Sequence, residues 1–168
     1  MNTLERNGRT FGWTIELDDS STPPWKQEDG HGPVSDWTSR DKEPGERVLG
    51  TDCGSRRYYD FAEACRIARR DGWGVDGGKR PGESDRAYAA RAVEADYERL
   101  RRWCDDDWSY VGVVLVPLCP CCGEGKPDYG HALWGIESDW ADYLETVAGE
   151  LADDYLCDAS VTPVCCVD

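Results

Sequence analysis

The fold class this sequence predicts is α+β, an antiparallel sheet of about four to five strands with three helices packed on it. Three observations predict it. Tyr110 to Val116 reads Tyr-Val-Gly-Val-Val-Leu-Val, a nearly continuous apolar run of the kind found in a strand covered on both faces. Segments 60–71, 84–104 and 138–155 repeat apolar residues at helical spacing, and short strand-like pieces broken by Gly and Pro precede the first of them. At 168 residues the expectation is one domain, 1–168, that buries about two-thirds of its unfolded surface.

Thr10 to Leu17, rich in β-branched and aromatic residues, predicts the first strand. Residues 18–36 read as a long loop, broken by Pro23-Pro24, Gly30, Gly32 and Pro33 and anchored by Trp25. Strand-like pieces follow at Val34 to Ser39, Arg47 to Leu49 and Ser55 to Tyr59. Asp60 is placed to cap a helix that Gly72 stops, with Phe61, Ala64, Cys65 and Ala68 on its core face. Ser84 or Asp85 caps a second helix to about Cys104, with Val93, Tyr97, Leu100 and Cys104 as its buried stripe. The apolar strand through Leu118 and a partner at His131 to Ile136 flank a Cys-rich loop, 119–130. Ser138 or Asp139 is expected to cap the last helix, which reaches about Tyr155. The tail, 158–168, has no periodicity and is expected to be mobile.

Charge is unevenly spread. The chain carries 34 acidic and 19 basic residues, a net charge of −15, together with eight Trp and eight Tyr that supply large apolar areas. From residue 127 onward there are ten Asp or Glu and no Lys or Arg. Such a single-sign field steers cationic partners and repels nucleic acid. On a 3.6-residue wheel Trp140, Leu144, Val147 and Leu151 make the core face of the last helix. Asp139, Asp142, Glu145, Glu150 and Asp153 take the other side. Asp142 and Asp153 would lie roughly 16 Å apart along the axis, a span comparable to two or three phosphate steps of a nucleic-acid strand. Asp105, Asp106 and Asp107, framed by Trp103 and Trp108, extend this face if their loop lies beside the helix. The bland reading is a solvated helix in a protein kept soluble by negative charge.

Arg56, Arg57, Arg66, Arg69 and Arg70 form the opposite pole. Acids are interleaved with them, so internal ion pairing is favoured over phosphate binding, with self-association as a further option. No direct nucleic-acid binding is expected.

Nine cysteines would suggest disulfides in a secreted chain. The opening Met1 to Asn7 has no hydrophobic signal region, and no stretch approaches 18 apolar residues, so the expectation is a soluble, cytoplasmic protein without a membrane partner. Cys65 and Cys104 then read as core thiols. Cys119-Pro120-Cys121-Cys122-Gly123 contains a knuckle whose spacing lets two thiolates reach one zinc, and Cys119, Cys122, His131 and Cys165 or Cys166 make a candidate tetrahedron. The alternative is a Cys-rich hairpin loop with reduced thiols, and no other cofactor is implied.

Catalysis finds little support. His31 sits in a Gly30-His31-Gly32-Pro33 turn with no nucleophile placed near it. The glycines of 72–78 lack a phosphate loop's context, and Cys53 has no evident basic helper. No enzyme is expected.

Gly30-His-Gly-Pro-Val-Ser-Asp-Trp-Thr38, Arg57-Tyr-Tyr-Asp-Phe-Ala-Glu-Ala64, Arg69-Arg-Asp-Gly-Trp73, Trp108-Ser-Tyr-Val-Gly-Val-Val114 and Leu133-Trp-Gly-Ile-Glu-Ser138 resemble a largely uncharacterised family of small acidic accessory proteins of phages, prophages and plasmids. The resemblance implies a mobile-element setting and no catalytic residues. In size and charge such proteins resemble antirestriction and anti-CRISPR inhibitors. The leading expectation is therefore a non-enzymatic inhibitor of a host nucleic-acid-targeting defence complex. Its acidic face would mimic nucleic acid toward a positively charged nucleic-acid-binding protein. The alternative is a mobile-element binding adaptor, zinc-stabilised, whose interface is the aromatic surface of Trp25, Trp37 and Trp73.

Overall fold

Asn7 and Gly8, with φ of 49° and 74°, form the two-residue turn between β1 (Asn2–Arg6) and β2 (Arg9–Leu17). Asn-Gly suits a turn in which both positions need the left-handed region. It supplies a first strand that periodicity alone does not predict. In this computed structural model, which describes residues 1–27 and 29–158, the chain continues through α1 (Pro24–Gln27), β3 (Glu46–Asp52), β4 (Ser55–Asp60), α2 (Phe61–Asp71), α3 (Asp85–Cys104), β5 (Tyr110–Pro117), β6 (Asp128–Glu137) and α4 (Ala141–Cys157). These elements make two compact units, Met1–Ser21 with Trp108–Asp168, and Thr22–Asp107. The mobile tail expected over 158–168 lies outside the described residues from 159 onward.

The first unit is a four-stranded antiparallel sheet in the order β1-β2-β5-β6. Its central pairing joins β2 to β5, with Phe11 opposite Pro117 and Leu17 opposite Val111. Every residue of β5 is buried, as its unbroken apolar run requires. Alternate residues divide between the faces. Phe11, Trp13, Val111, Val113, Leu115 and Ile136 pack against α4 through Leu144, Val147, Ala148, Ala152 and Tyr155. On the opposite face the indole of Trp134 lies over Gly112, where an added Cβ would stand 2.3 Å from the ring. The β5–β6 register shifts there, and Gly135 adopts φ 77°, a bulge that re-aims the side chain before it.

Two expectations for α4 are corrected. Neither Ser138 nor Asp139 caps it: the cap position is Trp140, with no side-chain hydrogen bond. Ser138 instead extends the β5–β6 ladder, accepting from the Ser109 amide through Oγ at 3.0 Å and donating its own amide to the Ser109 carbonyl at 2.9 Å. Trp140 therefore precedes the first helical turn and leaves the wheel on which it was placed. It is 56% exposed.

The second unit pairs β3 with β4 in a hairpin turned by Cys53 (φ 43°) and Gly54 (φ 86°). Val34 to Ser39, expected as a strand, lies along β4 but contributes only single bridges, Val34 to Tyr59 and Thr38 to Arg56, because the Ser35 hydroxyl accepts from the Tyr58 amide at 2.9 Å where a backbone carbonyl would continue the ladder. α2 begins as its sequence predicts, the Asp60 carboxylate accepting from the Glu63 amide at 2.9 Å, and ends at left-handed Gly72. Ser84 caps α3 in the same way, accepting from the Ala87 amide at 3.2 Å. Leu49, Tyr59, Ala64, Ala68, Ala89, Val93, Tyr97 and Leu100 form the core, with Trp25, Phe61, Cys65, Trp73 and Cys104 partly buried around it. The small residues of α2 and α3 let the two helices approach closely. Burial pushes the Cys104 thiol up to about 11, consistent with a core role. The class is α+β, with strands divided four and two between the units.

Glu83 ties the loop before α3 to that helix. Its carboxylate accepts from Arg91 Nε and Nη2 at 3.0 and 2.9 Å and from the Arg80 amide at 2.9 Å. The Arg91 guanidinium, helped by that amide, holds the Glu83 carboxyl down to about 2. A depressed folded-state pKa adds stability above the unfolded value, about 4.3, and that stability is lost as pH falls through the folded one. Glu83→Gln is therefore expected to flatten the acid limb of a stability-against-pH curve between about pH 4.5 and 2, measured by chemical denaturation. At the hairpin apex Cys53→Asn should raise the unfolding free energy by up to about 1 kcal/mol, measured by chemical denaturation, because Asn tolerates positive φ better than other non-glycine residues.

Candidate functional site

α4 carries the acids that the sequence singles out. Its inner face is held by burial, and its 17 residues include no Lys or Arg. Asp142, Glu145, Glu150, Asp153 and Asp154 are all exposed, as is Asp139 in the turn before the helix. The carboxylates of Asp142, Glu145 and Glu150 meet no cation among the described residues. Asp153 does: Arg6 Nε of β1 stands 3.6 Å from its Oδ1. Arg6 reaches it by crossing Gly149, where an added Cβ would be 2.4 Å from Nη2. One end of the acidic face is thus partly neutralised by a base from outside the helix.

Trp140 and Tyr143 add an exposed aromatic pair at the start of the same helix, their rings edge to face at 6.1 Å. A helical wheel places Trp140 inside, so periodicity alone does not reveal this pair.

Asp105, Asp106 and Asp107 are exposed but close the other compact unit. Arg101 Nε is 3.6 Å from Asp105 and Arg102 Nε 3.9 Å from Asp107, so two of the three are paired by arginines of the helix they follow. Asp106 takes φ 59° and turns the chain. These three acids belong to the second unit and those of α4 to the first.

Three of the five arginines of the opposite pole pair locally. Arg66 bonds Glu63, Arg70 forms two bonds to Asp71 at 2.7 and 2.8 Å, and Arg56 lies 3.9 Å from Asp41. Arg57 stacks between two indoles, 4.8 Å from Trp25 and 4.5 Å from Trp37, a cation–π arrangement that occupies both rings. Trp25 and Trp73 pack against the core, whereas Trp37 is 43% exposed. Of the aromatic surface named in the alternative reading, Trp37 is the exposed member.

In the Cys-rich loop the Cys121 amide donates to buried Cys119 Sγ at 3.4 Å, and Gly123 donates to the Cys119 carbonyl at 2.8 Å. Cys121 and Cys122 are exposed. His131 Nδ1 lies 3.0 Å from Asp128 and Nε2 3.9 Å from Asp158, with its ring against Tyr155. Among the described residues no three His, Cys, Asp or Glu side chains converge as metal ligands. Cys119, Cys122 and His131 are therefore not brought into one site, and Cys165 and Cys166 lie outside the described residues.

A different polar cluster sits in the second unit. His31 Nδ1 is 2.5 Å from Asp96 Oδ1, while the Gly32 amide and the Tyr59 hydroxyl donate to Oδ2 at 2.9 and 2.6 Å. Tyr59 is fully buried, and burial with the neighbouring Asp96 carboxylate raises its hydroxyl far above the ordinary tyrosine range. It serves as a fixed donor and does not ionise. Gly32 is required by closeness: an added Cβ would stand 2.3 Å from the Tyr59 oxygen. The cluster pins the 29–33 loop to α3 beside a cleft of about 410 Å³ lined by Trp73, Asp96 and Arg99 among others. No local signal reveals it, since 65 positions separate His31 from Asp96.

No protein-family model, curated protein or solved structure matches the chain.

Asp96→Ala removes both carboxylate oxygens and takes that partner from His31, the Gly32 amide and the Tyr59 hydroxyl. Removing a partly buried hydrogen-bond hub of this kind costs about 1–3 kcal/mol, so a clear fall in thermal midpoint is expected. Asp96→Asn, which keeps one acceptor oxygen, should fall between the alanine variant and the parent.

Proposed function

We propose that this chain is a binding protein without catalytic activity, a mobile-element inhibitor that engages a positively charged nucleic-acid-binding protein of a host defence complex. The outer face of α4 is the contact surface, and its carboxylates take the place of phosphates toward Arg and Lys of the partner. The observation that carries this reading is the set of exposed, cation-free carboxylates of Asp142, Glu145 and Glu150 on a helix that lacks any base of its own.

Energetics support it. Like charges three or four positions apart cost roughly 0.2–0.5 kcal/mol per pair. Asp153 and Asp154 also oppose the helix dipole at the C-terminal end. Local stability therefore disfavours this charge pattern, and a cationic partner would relieve it. An association driven by charge is fast and weakens steeply with salt.

In a pull-down from bacterial lysate the chain is expected to retain a nucleic-acid-binding protein that added DNA displaces and high salt releases. Asp142→Lys, Glu145→Lys and Glu150→Lys combined should abolish capture while the circular dichroism spectrum stays unchanged. Capture of the same protein at parental level by the folded triple variant would overturn the proposal.

A further inference from the structure

The second unit carries a surface of opposite character. Between α2 and α3 runs a groove of about 430 Å³ whose floor is Phe61, Ala62, Cys65 and Ala90 and whose rim is Arg66, Arg69 and Arg86. The floor residues are half-buried and the three arginines exposed. In a chain with a net charge of −15, an apolar trough rimmed by arginine is out of keeping with the rest of the surface.

Acids near the groove are already engaged. Glu63 pairs with Arg66, Asp85 with Lys79 at 2.6 Å, and Glu94 with Arg47 at 2.7 Å. Arg69 and Arg86 have no ion pair within 4.0 Å among the described residues. They leave a net positive rim over an apolar floor. The ligand chemistry this fits is an acidic amphipathic helix, whose apolar or aromatic side chains would fill the trough while its carboxylates meet the arginines.

The chain itself carries a segment of that chemistry. At its start α4 presents Trp140 and Tyr143, 56% and 43% exposed, beside Asp139, Asp142 and Glu145. Indole and phenol rings are also good partners for arginine. We infer that the α2–α3 groove of one copy receives the N-terminal half of α4 of a second copy, so that the protein self-associates through unlike surfaces. Two reciprocal contacts would close a dimer, and a single repeating one would build a chain. The inference goes beyond the function proposed above. It uses the same acids, so self-association would cover part of the partner-binding face and set a concentration-dependent reserve of free protein.

Sedimentation equilibrium of the full chain tests this directly. At about 50 mM salt, protein from about 10 to about 500 μM is expected to show concentration-dependent association that weakens at least tenfold at about 500 mM salt. Arg69→Glu with Arg86→Glu reverses the rim, and Asp142→Lys with Glu145→Lys reverses the helix. Each double variant, on exposed positions and checked for an unchanged circular dichroism spectrum, should be monomeric alone. Mixed one to one, the two should associate again, because an acidic groove then faces a basic helix. Monomer at every concentration in the parent, association that survives either reversal, or a mixture that stays monomeric each overturns the inference. The rim variant leaves α4 intact and should still capture the lysate partner, so failure here and failure of the functional proposal are read from different proteins.

Discussion

The pairing of β2 with β5 is the constraint on which the first unit depends. It sets Leu17 opposite Val111 and Phe11 opposite Pro117, closing a loop that contains the whole second unit. Loop-closure entropy grows only slowly with length, and the residues of the second unit fold on their own core, so the long excursion costs less than its length suggests. The anchor is apolar burial. β5 is buried along its length, and each buried Val or Leu contributes about 1.5–3 kcal/mol relative to exposure. Asp18, just past β2, donates its amide to the Tyr110 carbonyl at 3.0 Å, which continues the ladder to the point where the chain leaves the sheet.

The same comparison of magnitudes explains how α4 tolerates its charge. A few repelling carboxylate pairs cost tenths of a kcal/mol each, whereas Leu144, Val147, Ala148, Ala152 and Tyr155 are almost wholly inaccessible. Packing sets the helix in place, and the outer face is left open to other uses. Arg6 is the one local concession, lying across Gly149 to reach Asp153. The two units differ in this respect. In the second, acids and bases are interleaved along the sequence and pair over short distances, as Arg66 with Glu63 and Arg70 with Asp71 do. In the first, acids from residue 127 onward have no bases within their own segment.

What the sequence discloses and what it hides follow a physical division. Local rules succeed where structure is local. Asp60 and Gly72 bound α2, Ser84 caps α3, and the unbroken apolar run is the central strand. β1 is also locally encoded, but in Asn7-Gly8 turn chemistry and not in periodicity. Non-local competition defeats the rest. Ser138 looks like a helix cap and is taken by Ser109 in the ladder, which moves Trp140 from the core stripe to the surface. Asp96 reads as one more acid on a helix, yet it gathers His31, Gly32 and Tyr59. The outer acids of α4 were legible by wheel. The arginine-rimmed groove was not, because its residues are shared between two helices whose packing no single periodicity describes.

Gly112 has a consequence for strand alignment. The apolar run of β5 has side chains of similar size on either side of this glycine, so burial alone would tolerate a shifted pairing with β6. The indole of Trp134 requires a position without a Cβ beneath it. A slip of one residue would put Val111 or Val113 there and turn every neighbouring side chain to the wrong face. The missing side chain thus works as a notch, and the large ring as the tooth that enters it at one setting.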